Sequence, residues 1–259
     1  MNKIMIGIGI VCMCLFSKAQ TNDIQLEQSP VFIYGNIEVP IVSSFFNRGR
    51  LLDDNVVTQP TVTMLKDFEF GTILFNVWQN IDIKNKLSDE NLNETDLTLG
   101  YTKTVDIMTY NVGIIDYIYT CQDVPNTYEV YMTISAAIPE SFKLNPTLSI
   151  FYDFDEVDGV YAMFGINHSF ILNSLTITPD VSIGAATSGY NNYYFGVDKA
   201  KVNDLSTGLT IAYSYSKEVI ISGAVRYGTM LDKEIKDGAN SVFGGYEQLT
   251  GKISAIYNF

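Results

Sequence analysis

The sequence predicts an all-β fold, a transmembrane antiparallel up-and-down β-barrel of about twelve strands, and three observations carry that expectation. Apolar residues recur with period two, as over 205–215, where Leu205, Leu209, Ile211, Tyr213 and Tyr215 share one face and Ser206, Gly208, Thr210, Ala212 and Ser214 the other. The connections between such segments alternate between a few residues and many. Past the first residues, no apolar run reaches the 18 or more that a spanning helix takes.

The N-terminus comes first. A charged start, Met1-Asn2-Lys3, an apolar stretch over 4–16 and the small-residue segment Ser17-Lys18-Ala19 describe a secretory signal peptide, residues 1–19, cut after Ala19. That stretch is shorter than the roughly 20 residues needed to cross a bilayer. Residues 20–30 read as a short periplasmic lead-in, and 31–259 as the barrel. Cleavage removes Lys3, Lys18, Cys12 and Cys14, leaving 14 basic and 29 acidic residues, a formal charge of −15. Cys121 is then the sole thiol, which excludes an intramolecular disulfide.

The expected strands cover 31–46, 56–65, 68–80, 92–103, 107–120, 126–138, 142–153, 159–172, 175–185, 204–215, 219–228 and 248–259. Pro60 and Pro179 fall inside two of them, where an ordinary sheet would lose a ladder hydrogen bond. Links of a few residues (66–67, 104–106, 139–141, 173–174, 216–218) alternate with longer ones (47–55, 81–91, 121–125, 154–158, 186–203, 229–247). Short turns at one end, long loops at the other and both termini at the short-turn end fit an outer-membrane barrel. The alternation over 68–80 and 107–120 leaves the facing of Trp78 and Asp116 open.

A uniformly apolar face has to meet lipid or a second sheet. In a soluble sandwich the opposite face would carry many Lys and Glu; here it carries Ser, Thr, Gly, Asn and scattered acids. Tyr101, Tyr117, Tyr119, Phe170, Tyr213, Tyr215, Tyr227, Tyr257 and Phe259, near strand ends, suit interfacial girdles. The competing reading of these rings is core packing in a secreted β-sandwich.

Composition narrows function. Charged residues make up 17% of the chain against a usual figure of about 25%, with 17 Tyr and 15 Phe, so disorder is excluded. The acidic balance excludes nucleic acid as a partner. One His and few Cys point to no metal and no cofactor. An in-wall lipid hydrolase would need a His and a Ser two apart on one strand face. Ser169 is the immediate neighbour of His168 and so faces the other way, which speaks against catalysis. Asp153, Asp155, Asp158 and Gly159 resemble a calcium loop, but the spacing is off by one and Phe164 stands where a bidentate Glu is needed.

If the small-polar face lines a lumen, Glu38, Glu94, Asp96, Glu129, Asp153 and Asp180 point inward, with Arg226 and Lys252 as the clearest inward bases. Carboxylate rings lower the energy of cations in a narrow passage. Alternatively these acids pair with the bases and with Tyr34, Tyr131 and Tyr161 and plug the barrel. Tyr190, Tyr193, Tyr194 and Phe195, in the fifth long connection, fit either a ligand site or a folded-in mouth.

Ile41-Val-Ser-Ser-Phe-Phe-Asn-Arg-Gly49 with Gln59-Pro60, then Tyr152-Asp-Phe-Asp155, Gly159-Val-Tyr161 and Gly165-Ile-Asn-His-Ser-Phe170, together resemble the TorF-type porins and related bacterial outer-membrane barrels. The ending Ile256-Tyr257-Asn258-Phe259 resembles the signal by which such barrels are inserted. The resemblance implies Tyr257 and Phe259 as that signal, the barrel-assembly machinery and outer-membrane lipid as partners, passage of small solutes or ions, and no catalytic residues. A weakly cation-preferring channel is therefore the expectation. A non-conducting structural or surface-binding barrel and a lipid-modifying barrel enzyme are the alternatives.

Overall fold

The computed structural model describes residues 32–84, 93–120, 124–138 and 144–259. The signal peptide and lead-in expected over 1–30 lie outside the described residues, as do Cys121 and the first residues of the strands expected from 31, 92 and 142.

Its elements are β1 (Tyr34–Val42), β2 (Phe45–Asn47), β3 (Arg50–Asp53), β4 (Val57–Thr58), β5 (Thr61–Phe68), β6 (Gly71–Asp82), β7 (Asn93–Val105), β8 (Met108–Thr120) and β9 (Thr127–Ala136). There follow β10 (Asn145–Asp153), β11 (Gly159–Asn167), β12 (Phe170–Leu172), β13 (Leu175–Ala186), α1 (Ser188–Phe195), β14 (Lys201–Ser214), β15 (Val219–Met230), α2 (Lys233–Phe243) and β16 (Glu247–Asn258). Every stave pairs antiparallel with its neighbours in sequence, and β1 pairs with β16. The ring is closed, which removes the exposed edges of an open sheet. Reciprocal bonds between Gly35 and Phe259, each N–H to the other's carbonyl at 3.1 Å, extend the seam to the C-terminal residue.

Counted as staves, the barrel has twelve, because β4 with β5 and β11 with β12 are each one stave interrupted at a proline pairing. The register of β4 and β5 against β1 and β6 is continuous through Pro60, which accepts from Gln79 N–H at 3.1 Å. Pro179 does the same opposite the β11–β12 break, accepting from His168 N–H at 3.2 Å. Each proline costs one donor without shifting a residue, a loss that a ring paired on both sides tolerates.

The first stave ends earlier than expected. β1 stops at Val42, and Phe45 and Phe46, assigned from sequence to that strand, form part of the small hairpin β2–β3. The fifth and sixth long connections carry α1 and α2, which period two does not reveal.

Outward positions are apolar and exposed: Ile37, Val39 and Ile41 on β1, Val112 and Ile114 on β8, Leu209 and Ile211 on β14. Phe170, Tyr213, Tyr215, Tyr227, Tyr257 and Phe259 are exposed among them. Tyr117 and Tyr119 correct the expected girdle: both point inside and line an internal cavity. Trp78 faces inward, its ring 5.4 Å from Phe45. Asp116 faces outward, paired in register with Leu97 and Tyr128.

Candidate functional site: the barrel interior

The interior has three tiers. Nearest the short turns, cross-strand hydroxyl pairs line the wall: Ser222 with Ser254 at 2.7 Å, Thr133 with Ser149 at 2.9 Å, Ser169 with Thr178 at 2.9 Å. Such residues are small, and opposite positions on neighbouring staves let each satisfy the other.

The middle tier holds two ion pairs. Lys252 Nζ lies 2.6 Å from Glu38, and Arg226 lies 2.7 Å from Asp180 while also donating to Ser206 Oγ at 3.1 Å. Glu38 and Asp180 are thus each neutralised by one of the two bases read from the sequence.

At the long-loop end the chain itself enters the barrel. After β1, Ser43 N–H donates to Gly251 O at 2.9 Å and Gly251 N–H donates to Ser43 Oγ at 2.9 Å, which turns the backbone inward along β16. The hairpin β2–β3 then projects its turn, Arg48-Gly49, into the lumen. Both residues have positive φ, 49° and 76°. That geometry suits a tight two-residue hairpin, but it is costly for a side chain as bulky as arginine.

Arg48 donates through two nitrogens to the two oxygens of Glu129, at 2.7 and 2.9 Å. Its guanidinium lies 4.1 Å from the Phe151 ring centroid and 5.1 Å from that of Tyr161. Burial works against the Arg48 charge, yet Glu129 beside it holds the guanidinium more firmly protonated than usual. Tyr117 Oη donates to Glu129 at 2.9 Å. Arg50 stacks on Tyr194, 4.1 Å from its centroid, and burial pushes the Tyr190 and Tyr194 phenols up, so both stay neutral.

The helices close the mouth. Tyr190 and Phe195 on α1 and Ile235 and Ala239 on α2 join Tyr131, Phe151, Tyr161 and Met230 in one buried core. Tyr131 fits because Gly113 stands beside it: a Cβ there would lie 2.8 Å from the Tyr131 ring. Asp232 caps α2, accepting from Glu234 and Ile235 N–H at 2.8 and 3.3 Å. Between hairpin, helices and wall remains a cavity of about 210 Å³ lined in part by Arg48, Arg50, Glu94, Tyr119, Glu129 and Tyr194.

The eight acids and bases singled out in the sequence therefore divide. Glu94, Asp96, Glu129 and Asp153 gather at the long-loop end; Glu38, Asp180, Arg226 and Lys252 form the middle tier. Of the tyrosines offered as partners, Tyr161 donates to Asp204 at 3.0 Å and Tyr34 to Asp67 at 2.8 Å, while Tyr131 Oη has no hydrogen-bond partner among the described residues. Arg48, Arg50 and Asp204 escaped the sequence reading. Alternation from Leu205 would have found Asp204, and the Asn47-Arg48-Gly49-Arg50 turn was the signal for the arginines. His168 lies edge-on to Phe170, centroids 4.3 Å apart, on the outward face.

A family model described as MipA, MltA-interacting protein, matches residues 122–259, just over half of the chain. The chain belongs to the MipA family. Among solved structures, this MipA-family chain is similar to the NanC porin, at 12% identity over 87% of this chain and 100% of that one with a TM-score of 0.51. It is similar also to a bacterial polysaccharide outer membrane secretin (10% identity, 90% and 100% covered, TM-score 0.51). A third is the COG4313 outer membrane channel from Pseudomonas putida F1 (10% identity, 93% and 100% covered, TM-score 0.50). At these identities the likeness is one of fold: a porin- and channel-type barrel. No curated protein matches the chain.

Proposed function

We propose that this MipA-family chain is an outer-membrane barrel for small solutes or ions, held shut by its first long loop and weakly cation-preferring when open. The supporting observation is the bidentate clasp of Arg48, at the tip of the inward hairpin, on Glu129 of the wall. A continuous apolar exterior supports residence in lipid, since exposing that surface to water costs about 25 cal/mol per Å². Export by the 1–19 signal peptide, recognition of Tyr257 and Phe259 by the assembly machinery and the narrower kinship with TorF-type porins belong to the same proposal. So does the absence of catalysis.

The cation preference follows from what the hairpin takes with it. Arg48 and Arg50 are carried by the loop, whereas Glu94, Asp96, Glu129, Asp153 and Asp204 belong to the wall. Withdrawal of the hairpin leaves the mouth acidic, and acidic rings favour cations. In planar bilayers the native barrel is expected to pass little current. Deletion of residues 44–55, or the milder Arg48→Ala with Glu129→Gln, is expected to give steady openings, with a reversal potential shifted toward that of the cation in a salt gradient. Silence from both variants, correctly folded, overturns the reading.

One observation favours a second reading. The α1–α2 core fills the mouth independently of the hairpin, as a barrel that serves as a platform rather than a passage would allow. The family's name, MltA-interacting protein, names a partner of that kind. Co-purification of MltA with a barrel that stays silent after hairpin deletion is the expected signature of the platform.

A further inference from the structure

We propose that the cavity at the long-loop end binds a small zwitterion of the α-amino-acid class. It occupies the same plugged mouth but holds whether or not the barrel conducts. Its size is the first constraint: 210 Å³, at about 30 Å³ per molecule of liquid water, corresponds to roughly seven waters. A single amino acid is of that order.

Charge supplies the second constraint. Arg48 and Glu129 satisfy each other. Asp153 accepts from Thr127 Oγ1 at 2.8 Å and from the N–H groups of Asp155 and Val157 at 3.1 and 3.2 Å. Two lining groups are left over. Arg50 is 8% exposed and, among the described residues, forms no ion pair and leaves its Nε without a partner. Glu94 is 5% exposed and shares a side-chain hydrogen bond with Asp96, two residues along the same face; Glu94 Oε2 and Asp96 Oδ1 have no partner among the described residues. Buried polar atoms without partners are costly and few in native proteins.

Arg50 stands near Glu94 without an ion pair to it, and the Glu94–Asp96 pair, bonded to each other, still leaves one buried oxygen on each; together they describe a dipolar guest. Its carboxylate would take a charge-assisted bond from Arg50, its ammonium one to Glu94. A simple anion leaves Glu94 and Asp96 as they are, and a simple cation leaves Arg50. The aromatic wall of Tyr119, Tyr194 and Phe243 suits an apolar side chain.

The test is calorimetric titration of the intact, detergent-folded barrel with L-phenylalanine and its two single-charge analogues, phenethylamine and 3-phenylpropionate. Phenylalanine is expected to bind at least about tenfold more tightly than either, the worth of one charge-assisted bond. Glu94→Gln is expected to abolish the preference over 3-phenylpropionate, and Arg50→Gln the preference over phenethylamine. Equal binding of all three compounds, or no binding of phenylalanine at millimolar concentration, overturns the proposal on the native protein alone, even if a variant fails to fold. Binding by the native barrel together with silence from both hairpin variants would sink the conduction reading and leave this one standing; openings from those variants with no binding of phenylalanine would do the reverse.

Discussion

The short-turn half of the barrel interior and the long-loop half obey different physics. In the former, the inward side chains belong to the wall and are either hydroxyls that bond across adjacent staves, as Ser222 does with Ser254, or apolar groups that pack on each other, as Ile220 does with Ile256. In the latter, the groups that fill the space come from outside the wall: Arg48 from a hairpin, Tyr190 and Phe195 from α1, Ile235 from α2. The stave pattern makes a tube; two helical loops and one hairpin decide whether anything passes through it. Function in this fold is thus carried by the connections, which are free to vary without disturbing the paired ring.

The contrast is broken most severely at the clasp. Arg48→Ala strands Glu129, 5% exposed at its side chain, without a cation. Removing one partner of a buried pair costs about 3–5 kcal/mol, and alanine, which keeps the Cβ, does not relieve the positive φ at position 48. The expected outcome is release of the hairpin, seen as protease cleavage within 44–55, and a lower temperature for the unfolding shift on gels. An intact, protease-resistant hairpin in this variant would show that the α1–α2 core alone holds it. The matching change in the other half, Ser254→Ala, removes one neutral hydroxyl pair worth about 1 kcal/mol. Its gel-shift temperature is expected to move far less, and a loss as large as that of Arg48→Ala would erase the distinction between the halves.

That distinction also marks where the sequence could be read. Staves show because lipid outside and a polar interior impose period two on each residue in turn, so that Glu38 and Lys252 fall on one face by parity alone. Parity is silent on pairing across the ring: nothing local links Glu38 to Lys252. It fails wherever burial comes from a loop. Tyr117 and Tyr119 look like girdle residues by their place near a strand end, yet they share the inward face of β8 with Asn111 and Ile115, opposite the outward Val112 and Ile114, and line the cavity beneath the hairpin and α1. The helix α1 is eight residues long and Thr187 makes no side-chain capping bond, so its stability comes from the mouth it packs into rather than from its own sequence. For α2 a signal existed, in Asp232 at the cap, Ile235 and Ala239 four apart, and Gly244 in the left-handed conformation at its end.

The smallest effect separates the helical lid from the hairpin by pH. The cap residue Asp232 accepts from Lys201 Nζ at 2.9 Å, and Glu234 from Lys199 Nζ at 2.8 Å. The Lys201 bond, with the N–H groups of Ile235 and Glu234, holds the Asp232 carboxyl below its usual range against a small burial cost, and Lys199 and then Lys201 do the same for Glu234. A folded-state value below the unfolded one means that the contribution is present above the unfolded pKa and fades as pH falls through the folded one. Glu234 is exposed and Asp232 half-buried at the water-facing side of the lid, so screening keeps the contribution small. Between about pH 5 and 3, cleavage at Lys233 and Lys236 is expected to quicken modestly, less so in 0.5 M salt, where the pairs are already weakened. Asp232→Asn is expected to show the fast rate already at neutral pH while leaving cleavage within 44–55 unchanged. If instead both segments loosen together, lid and hairpin are one cooperative unit, and the mouth opens as a whole rather than by the clasp alone.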